Sequence, residues 1–524
     1  VRELRSRGAE GQRSRGEKGQ RGKGAGELEN WRTRGVSENF DAPTRSLAGY
    51  DRAMCRGVSK SLAWLSLVAA CVSCAPEGSQ SNARVETSRP SILLITLDTT
   101  RADSMGFESE EVETPVLDAL AGRGVRFSQA WTTVPMTLPA HTSMLTGLYP
   151  PEHGIRENSR FLDDDRTLLA ERLGEAGYAT AAFVSGYPLK RQFGLARGFG
   201  HYDDDMGSGN AERRAGPTTD RALEYLASSP KTPLFVWVHY FDPHDPYDPP
   251  EPYRSRYPSS PYLGEVAYMD REVGRLVEAF EARTQGQASK ILVVGDHGEG
   301  LGDHGESLHG NLLYRGVMRV PLIVAGDEIP VARVDTPVST RRVFDTILGW
   351  AGLESSFDLV NPDSEVVMGE ALKPFLQYGW QPQVMAVLGT TKVIRSGDTE
   401  VYDLSSDPVE AVNLNGELAV DPEIEDAIRS YNLVPAIDDQ APYDPLDEEA
   451  RKQLAVLGYV GWESPAPVRE DAPKPKDMTH LFDDLNEGAT LFARDEYEAS
   501  IRVFERVLRE DPENLMVTVR LAVA

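Results

Sequence analysis

The sequence predicts an α/β fold built on a doubly wound, mostly parallel sheet, and three observations carry that expectation. First, apolar runs without polar alternation recur: SILLITLD (Ser91–Asp98), TAAFVSG (Thr180–Gly186), PLFVWVHYFD (Pro233–Asp242), ILVVGD (Ile291–Asp296) and VPLIVAG (Val320–Gly326). Runs of this kind suit strands buried on both faces, as parallel strands are. Second, amphipathic stretches lie between them, at Thr114–Arg123, Leu168–Ala176 and Val266–Arg283, so strands alternate with helices. Third, polar residues follow three of the runs at their C-terminal ends, where open α/β sheets bind ligands.

The remaining elements flank this domain, expected over 90–434. Met385–Leu414 predicts a small β-rich C-terminal subdomain. Residues 435–478, rich in Pro, Asp and Glu, predict a linker. Leu485–Leu515 is helical by period, and Gly488, Ala489, Tyr497, Ala499, Phe504 and Pro512 resemble a tetratricopeptide repeat in their offsets. A lone repeat cannot bury its own face. The segment 479–524 is therefore expected to be the start of a longer helical array that offers a protein partner a surface, with a single amphipathic hairpin docked on the main domain as the alternative.

At the other end, Met54–Cys74 joins a basic start (Arg56, Lys60) to an apolar stretch, Leu62–Val72. A membrane span needs about 20 apolar residues, so a secretory signal is expected. VAAC (Val68–Cys71) resembles a bacterial lipobox, which makes Cys71, or else Cys74, a lipidated terminus of a periplasmic or cell-envelope protein. Plain secretion and an uncleaved anchor are the alternatives. Residues 1–53 are rich in Arg, Gly and Glu and are expected to be disordered, or untranslated if Met54 is the start. Residues 75–89 form a polar tether.

The chain has three cysteines, Cys55, Cys71 and Cys74, all in or beside the export segment. Everything after Cys74 therefore lacks a disulfide, a zinc–thiolate site and a thiol nucleophile. The net charge of −27 excludes nucleic acid as a partner.

The chemistry concentrates in four places: Asp98 at the end of the first run, TLPAHTSMLTG (Thr137–Gly147), VHYFDPHDP (Val238–Pro246) and GDHGEGLGDHGESLHG (Gly295–Gly310). Five of the nine histidines fall between His239 and His309. A divalent cation wants carboxylates and imidazole, which Asp98, Asp296 and His297 supply. A hydroxyl set against that cation ionises more readily and becomes a nucleophile, a role open to Thr137 or Ser143. His239, His244, His304 and His309 remain as donors to a transferred group or as ligands of a second ion. Asp242 is a weaker option for that second ion.

Here the chain resembles the sulfatase branch of the alkaline phosphatase superfamily, from about Ser91 to Leu414. LITLDTTRADSMG (Leu94–Gly106) is similar to the family's first metal-ligand strand. TLPAHTSMLTG is similar to its nucleophile motif, DHGE (Asp296–Glu299) to its second metal motif, and VYDLSSDPVEAVNL (Val401–Leu414) to its C-terminal signature. The departures are informative. Thr137 stands where the family carries the Cys or Ser that becomes formylglycine, and threonine cannot be oxidised to an aldehyde. His141 replaces an arginine, Thr99 a second aspartate, and the His309-Gly310 pair the lysine expected after DHGE. These changes resemble the Thr-using relatives, in which a HxxxxH pair, here His239 and His244, and a histidine twelve residues past the metal histidine, here His309, line the site.

The resemblance implies that Asp98, Thr137, Asp296 and His297 hold one metal, and the imidazole in that set favours zinc or manganese over calcium. It implies that His244, His309, His239 and His141 bind substrate, with a second ion left open. The expected activity is hydrolysis of phosphate mono- or diesters through Thr137. The ester is that of a small molecule, glycan or lipid, and the membrane is met only through a lipid anchor. The alternatives are a sulfate-ester hydrolase working without formylglycine, and an inactive domain on a surface repeat scaffold.

Overall fold

The computed structural model describes residues 89–434, 450, 453–454 and 469–523. The leader, the export segment with its cysteines, nearly all of the tether and most of the expected linker lie outside them. The strands of the main domain are β1 (Ser91–Leu97), β2 (Val125–Phe127), β3 (Ala130–Trp131), β4 (Ala179–Phe183), β5 (His201–Asp203), β6 (Leu234–Tyr240), β7 (Ser289–Gly295), β8 (Leu322–Gly326), β9 (Ala332–Val334) and β10 (Val338–Ser339). Among the described residues, eight of them form one sheet in the order β5-β4-β6-β1-β7-β8-β2-β9.

The sheet is wound on both faces because successive side chains of a strand point to opposite sides. In β1, Ile92 and Leu94 join an apolar layer with Leu169, Leu173, Val343 and Ile347, from α3 (Leu169–Glu175) and α6 (Val343–Trp350). Leu93, Ile95 and Leu97 join the opposite layer with Leu117, Leu120, Val273 and Leu276, from α1 (Pro115–Gly122) and α5 (Pro261–Thr284). The two remaining helices of interest near the sheet are α2 (Thr137–Thr146) and α4 (Ala215–Ala227).

Register positions the site. β1 runs parallel to both neighbours, with Leu97 opposite Tyr240 of β6 and opposite Gly295 of β7. Three strands thus end level, and the residues just beyond two of them are Asp98 and Asp296.

One expectation fails. The VPLIVAG run forms β8, but β8 lies antiparallel to β7, with Val293 opposite Ile323. The chain leaves β7 and returns to the same end of the sheet, where Gly295 N–H donates to Pro321 O at 2.9 Å. An apolar run buried on both faces has the same pattern in either direction, so periodicity cannot reveal the reversal. The sheet is mixed, though mostly parallel.

A second, four-stranded antiparallel sheet follows: β11 (Val367–Ala371), β12 (Gln383–Leu388), β13 (Thr391–Ser396) and β14 (Asp398–Asp403). β11 escaped sequence reading because Glu370 interrupts its apolar run. That carboxylate is buried against the Tyr431 hydroxyl at 3.0 Å and Arg156 at 3.5 Å.

The C-terminal helices are α7 (Phe482–Ala493), α8 (Tyr497–Glu510) and α9 (Leu515–Val523). Gly488 lets α7 and α8 approach, since a Cβ there would lie 2.4 Å from the Phe504 ring. Phe482, Leu485, Phe504, Val507, Met516 and Val517 share one apolar cluster with Trp380 and Met385. Trp380 Nε1–H also donates to Asp511 at 2.7 Å. The helices therefore bury their apolar faces on the second sheet. Residues 469–478, at the end of the expected linker, are held to that sheet as well: Gln381 N–H donates to Pro473 O at 2.9 Å, and Lys474 pairs with Asp398 at 2.7 Å.

Candidate metal centre and active site

Asp98 is carried by the end of β1, His239 by β6, and Asp296 with His297 by the turn after β7. All four are fully buried. Thr137 is the first residue of α2, whose other end closes on Gly147 at φ 76°.

The hydrogen bonds decide what each group can do. Asp296 Oδ1 accepts from the backbone N–H of His297 (2.6 Å) and of Thr99 (3.2 Å), which leaves Oδ2 without a partner. His297 Nδ1–H donates to Gly298 O (2.9 Å), so its Nε2 carries a lone pair that nothing satisfies. Asp98 Oδ2 accepts from His239, while Oδ1 is also unpaired. Nε2 of His297 lies 3.6 Å from both Asp98 Oδ1 and Asp296 Oδ2. Three buried acceptors thus converge with no donor among them. Leaving such groups unsatisfied costs roughly 1–3 kcal/mol each. A divalent cation is the species that satisfies two carboxylate oxygens and an imidazole together, so Asp98, Asp296 and His297 fit the family's metal.

Electrostatics agree. Burial favours the neutral form of Asp98, but the hydrogen bond and charge of His239, then His297 and His244, outweigh it and hold Asp98 well below the usual carboxylate range. Burial and the Asp98 charge push Asp296 well above that range. Burial pushes His297 down to about 3, with His309 adding to it. Without a cation the two aspartates repel each other.

Thr137 Oγ1 is buried with no hydrogen-bond partner. It sits at the N-terminus of α2, where the helix field favours negative charge. The start of α2 is fixed by Asn158, whose Oδ1 accepts from Leu138 N–H at 2.8 Å. Asn158 lies in an unremarkable GIREN stretch, and no motif marked it.

Two of the expected substrate ligands face elsewhere. His141 Nδ1–H donates to Thr137 O (2.8 Å), and its Nε2 meets the Thr96 hydroxyl (2.9 Å). Burial pushes it down to about 3. Both ring nitrogens are spent on protein atoms, so His141 pins the start of α2 to β1. Its Nδ1 lies 3.5 Å from Asp296 Oδ2, but that nitrogen carries the donated proton and offers no lone pair to a cation. His239 lies 3.1 Å from Asp98 through Nε2 and has Ser185 at Nδ1, so both nitrogens are engaged by the protein and the ring orients a carboxylate.

The other two lie beside each other and beside His297. His244 Nδ1–H donates to Asp245 O (2.7 Å), leaving a buried, unpartnered Nε2. Its ring stacks on Phe241 at 4.2 Å and lies 5.4 Å from His309. His309 is hydrogen-bonded through Nδ1 to Glu299 Oε1 (3.0 Å), and its ring is 4.4 Å from that of His297. Tyr247 O–H donates to the other Glu299 oxygen at 2.9 Å.

Ser143 bonds Thr133 (2.9 Å) and His153 (3.0 Å), away from the cluster. His304 stacks on Tyr314 at 3.6 Å and meets Val409 O at 3.0 Å. Thr99, the residue after Asp98, has φ 44°, a strained conformation for a β-branched side chain. Tyr262 O–H donates to its carbonyl at 2.9 Å and holds it there.

Asp242 Oδ2 accepts from Ala215 N–H (2.7 Å) at the head of α4 and takes no part in the cluster. Burial pushes Asp242 up to about 7. Burial and the Asp242 charge push Glu265 up to about 8. Both keep their protons when folded at a pH where the unfolded chain has lost them. The stability they contribute is complete below their ordinary values of 3.8 and 4.5 and is lost as pH rises through about 7 and 8. We expect the melting temperature to fall between pH 5 and 8 and the fall to be shallower in Asp242→Asn. Parallel curves for the two proteins in scanning calorimetry would refute this.

The Sulfatase family model matches residues 90–353. The chain is 22% identical over 435 residues to the uncharacterized sulfatase YidJ of Escherichia coli K12, covering 66% of this chain and 87% of that one. Its fold is similar to that of Ps i-CgsB, solved in complex with k-i-k-neocarrahexaose (TM-score 0.58, 18% identity, 71% of this chain and 98% of the other). It is also similar to the phosphonate monoester hydrolase of Agrobacterium radiobacter (TM-score 0.53, 19% identity, 63% and 92%). With the metal-fitting cluster at the level ends of β1 and β7, the match over half the chain places this protein: it belongs to the sulfatase family of hydrolases.

Proposed function

We propose that this protein is a metal-dependent hydrolase of phosphate mono- or diesters that uses Thr137 as its nucleophile. The observation that carries the reading is the Thr137 hydroxyl, buried and unpartnered at the head of α2, whose first turn is bonded to His141, a ring lying 3.5 Å from Asp296. When bound by Asp98, Asp296 and His297, a divalent ion of zinc or manganese type supplies positive charge that eases ionisation of a nearby hydroxyl and neutralises the substrate.

The residues act in two displacements. Thr137 Oγ attacks phosphorus, an Oγ–P bond forms, and the P–O bond to the alcohol breaks. The proton from Thr137 passes to the departing alkoxide, with His244 Nε2 as a lone pair able to hold it on the way. Water then attacks phosphorus, the Oγ–P bond breaks, and Thr137 recovers its proton.

A sulfate ester is the second reading, and the names of the relatives favour it. Thr137 weighs the other way, because its chemistry bypasses formylglycine. The intact ligand set argues against an inactive scaffold. Export through Met54–Cys74 with a lipid anchor, and a partner held by tetratricopeptide-like helices from 479 onward, complete the proposal.

The test is to turn over a bis-aryl phosphate and an aryl sulfate with zinc- and manganese-loaded protein, quench in acid, and map adducts by mass spectrometry. Phosphothreonine at Thr137 supports the reading, and sulfothreonine moves the substrate to the second class. Steady turnover with neither adduct would sink the nucleophile assignment.

A further inference from the structure

Lys373 follows β11 and is 6% exposed. Its stem lies against Gly310: a Cβ at that glycine would sit 3.1 Å from Lys373 Cδ, 3.7 Å from Met136 Cγ and 3.7 Å from Pro135 O. Lys373, Met136 and Pro135 therefore all crowd the same side of Gly310, the residue after His309. Gly310 has φ 95°, and its missing side chain is the space the stem occupies.

Among the described residues the Lys373 ammonium makes no hydrogen bond or ion pair. Glu306 and Glu299 act on it only through space. Both carboxylates have other partners: Glu306 accepts from Asn311 N–H at 2.8 Å, and Glu299 meets His309 and Tyr247. A buried charge left unpaired is costly, and buried cations are normally matched by an anion. Burial pushes Lys373 down to about 8, which leaves it largely charged at neutral pH.

We propose that Lys373 is the substrate-binding cation of this site, its ammonium gripping the non-bridging oxygens of the ester's anionic group between Thr137 and His309. The inference rests on the reading of Thr137 and its neighbours as the site of ester hydrolysis. It adds where the positive charge for the anion comes from, in a chain with His141 and His309 at the two positions where the family carries cations.

The experiment measures binding of inorganic phosphate, sulfate and vanadate to metal-loaded protein by titration calorimetry, with metal content determined separately. Lys373→Met is expected to take up metal normally and to bind phosphate about 10- to 100-fold more weakly, the effect of removing one charge-assisted hydrogen bond. KM for the diester should rise by a similar factor. A second measurement needs only the wild-type protein: phosphate should protect Lys373 from reductive methylation, read by mass spectrometry. Unchanged phosphate affinity in Lys373→Met with metal present, or no protection in the wild type, would overturn the assignment. A phosphothreonine adduct alongside either result would leave the hydrolase reading standing. Failure of the wild type to bind any of the three anions would overturn both.

Discussion

Thr137→Ala is expected to lower kcat/KM for a phosphodiester by about 10³-fold or more, because the attacking oxygen is gone and only direct attack by water remains. Thr137→Ser keeps the hydroxyl and should stay within about tenfold of the wild type. A purely structural threonine predicts a different stability result. Thr137 Oγ1 makes no hydrogen bond in its buried position, so the alanine variant loses no partner and sheds a buried unsatisfied group worth roughly 1 kcal/mol. Its melting temperature should match or slightly exceed that of the wild type. Rates within tenfold of the wild type, with calorimetry showing a folded protein, would remove Thr137 from the mechanism.

Asp296→Asn should cost about 10³-fold in turnover, since a bound cation contributes several kcal/mol and each 1.36 kcal/mol is about tenfold. The same change should stabilise the metal-free protein. Asn keeps the Oδ1 that accepts from Thr99 and His297 N–H. Its amide would replace the orphaned Oδ2, placing a donor toward the unsatisfied His297 Nε2 and Asp98 Oδ1. It also removes the carboxylate that Asp98 repels. A gain of about 1–2 kcal/mol raises the melting temperature of a domain this size by a few degrees. Elemental analysis, kinetics and calorimetry on the same sample check all three. A variant that still holds one metal per chain and turns over normally would show that the ligands were misassigned.

The same physics marks where sequence reading stopped. Asp98, Asp296 and His297 were legible because metal chemistry restricts the residue types and because both carboxylates close apolar runs at strand ends. The strand direction of VPLIVAG was not, since burial on both faces erases the pattern that direction would leave. β11 was hidden by Glu370, a charge whose partners, Arg156 and Tyr431, are distant in sequence. The C-terminal helices matched a repeat by spacing, while their docking on the second sheet depends on Trp380 and Asp511, 131 residues apart.

By itself, then, the chain's order of residues determined the α/β class and the Asp98, Asp296 and His297 group that could hold a metal, because each is written in local pattern or residue chemistry. Tertiary structure alone decided which histidines brace the protein. A ring nitrogen's role is set by what lies beside it. For His141 that is Thr96, for His239 it is Asp98, and both arrive from β1. Lys373 reached the site in the same way, brought from the end of β11 to the side of Gly310 by contacts no motif records.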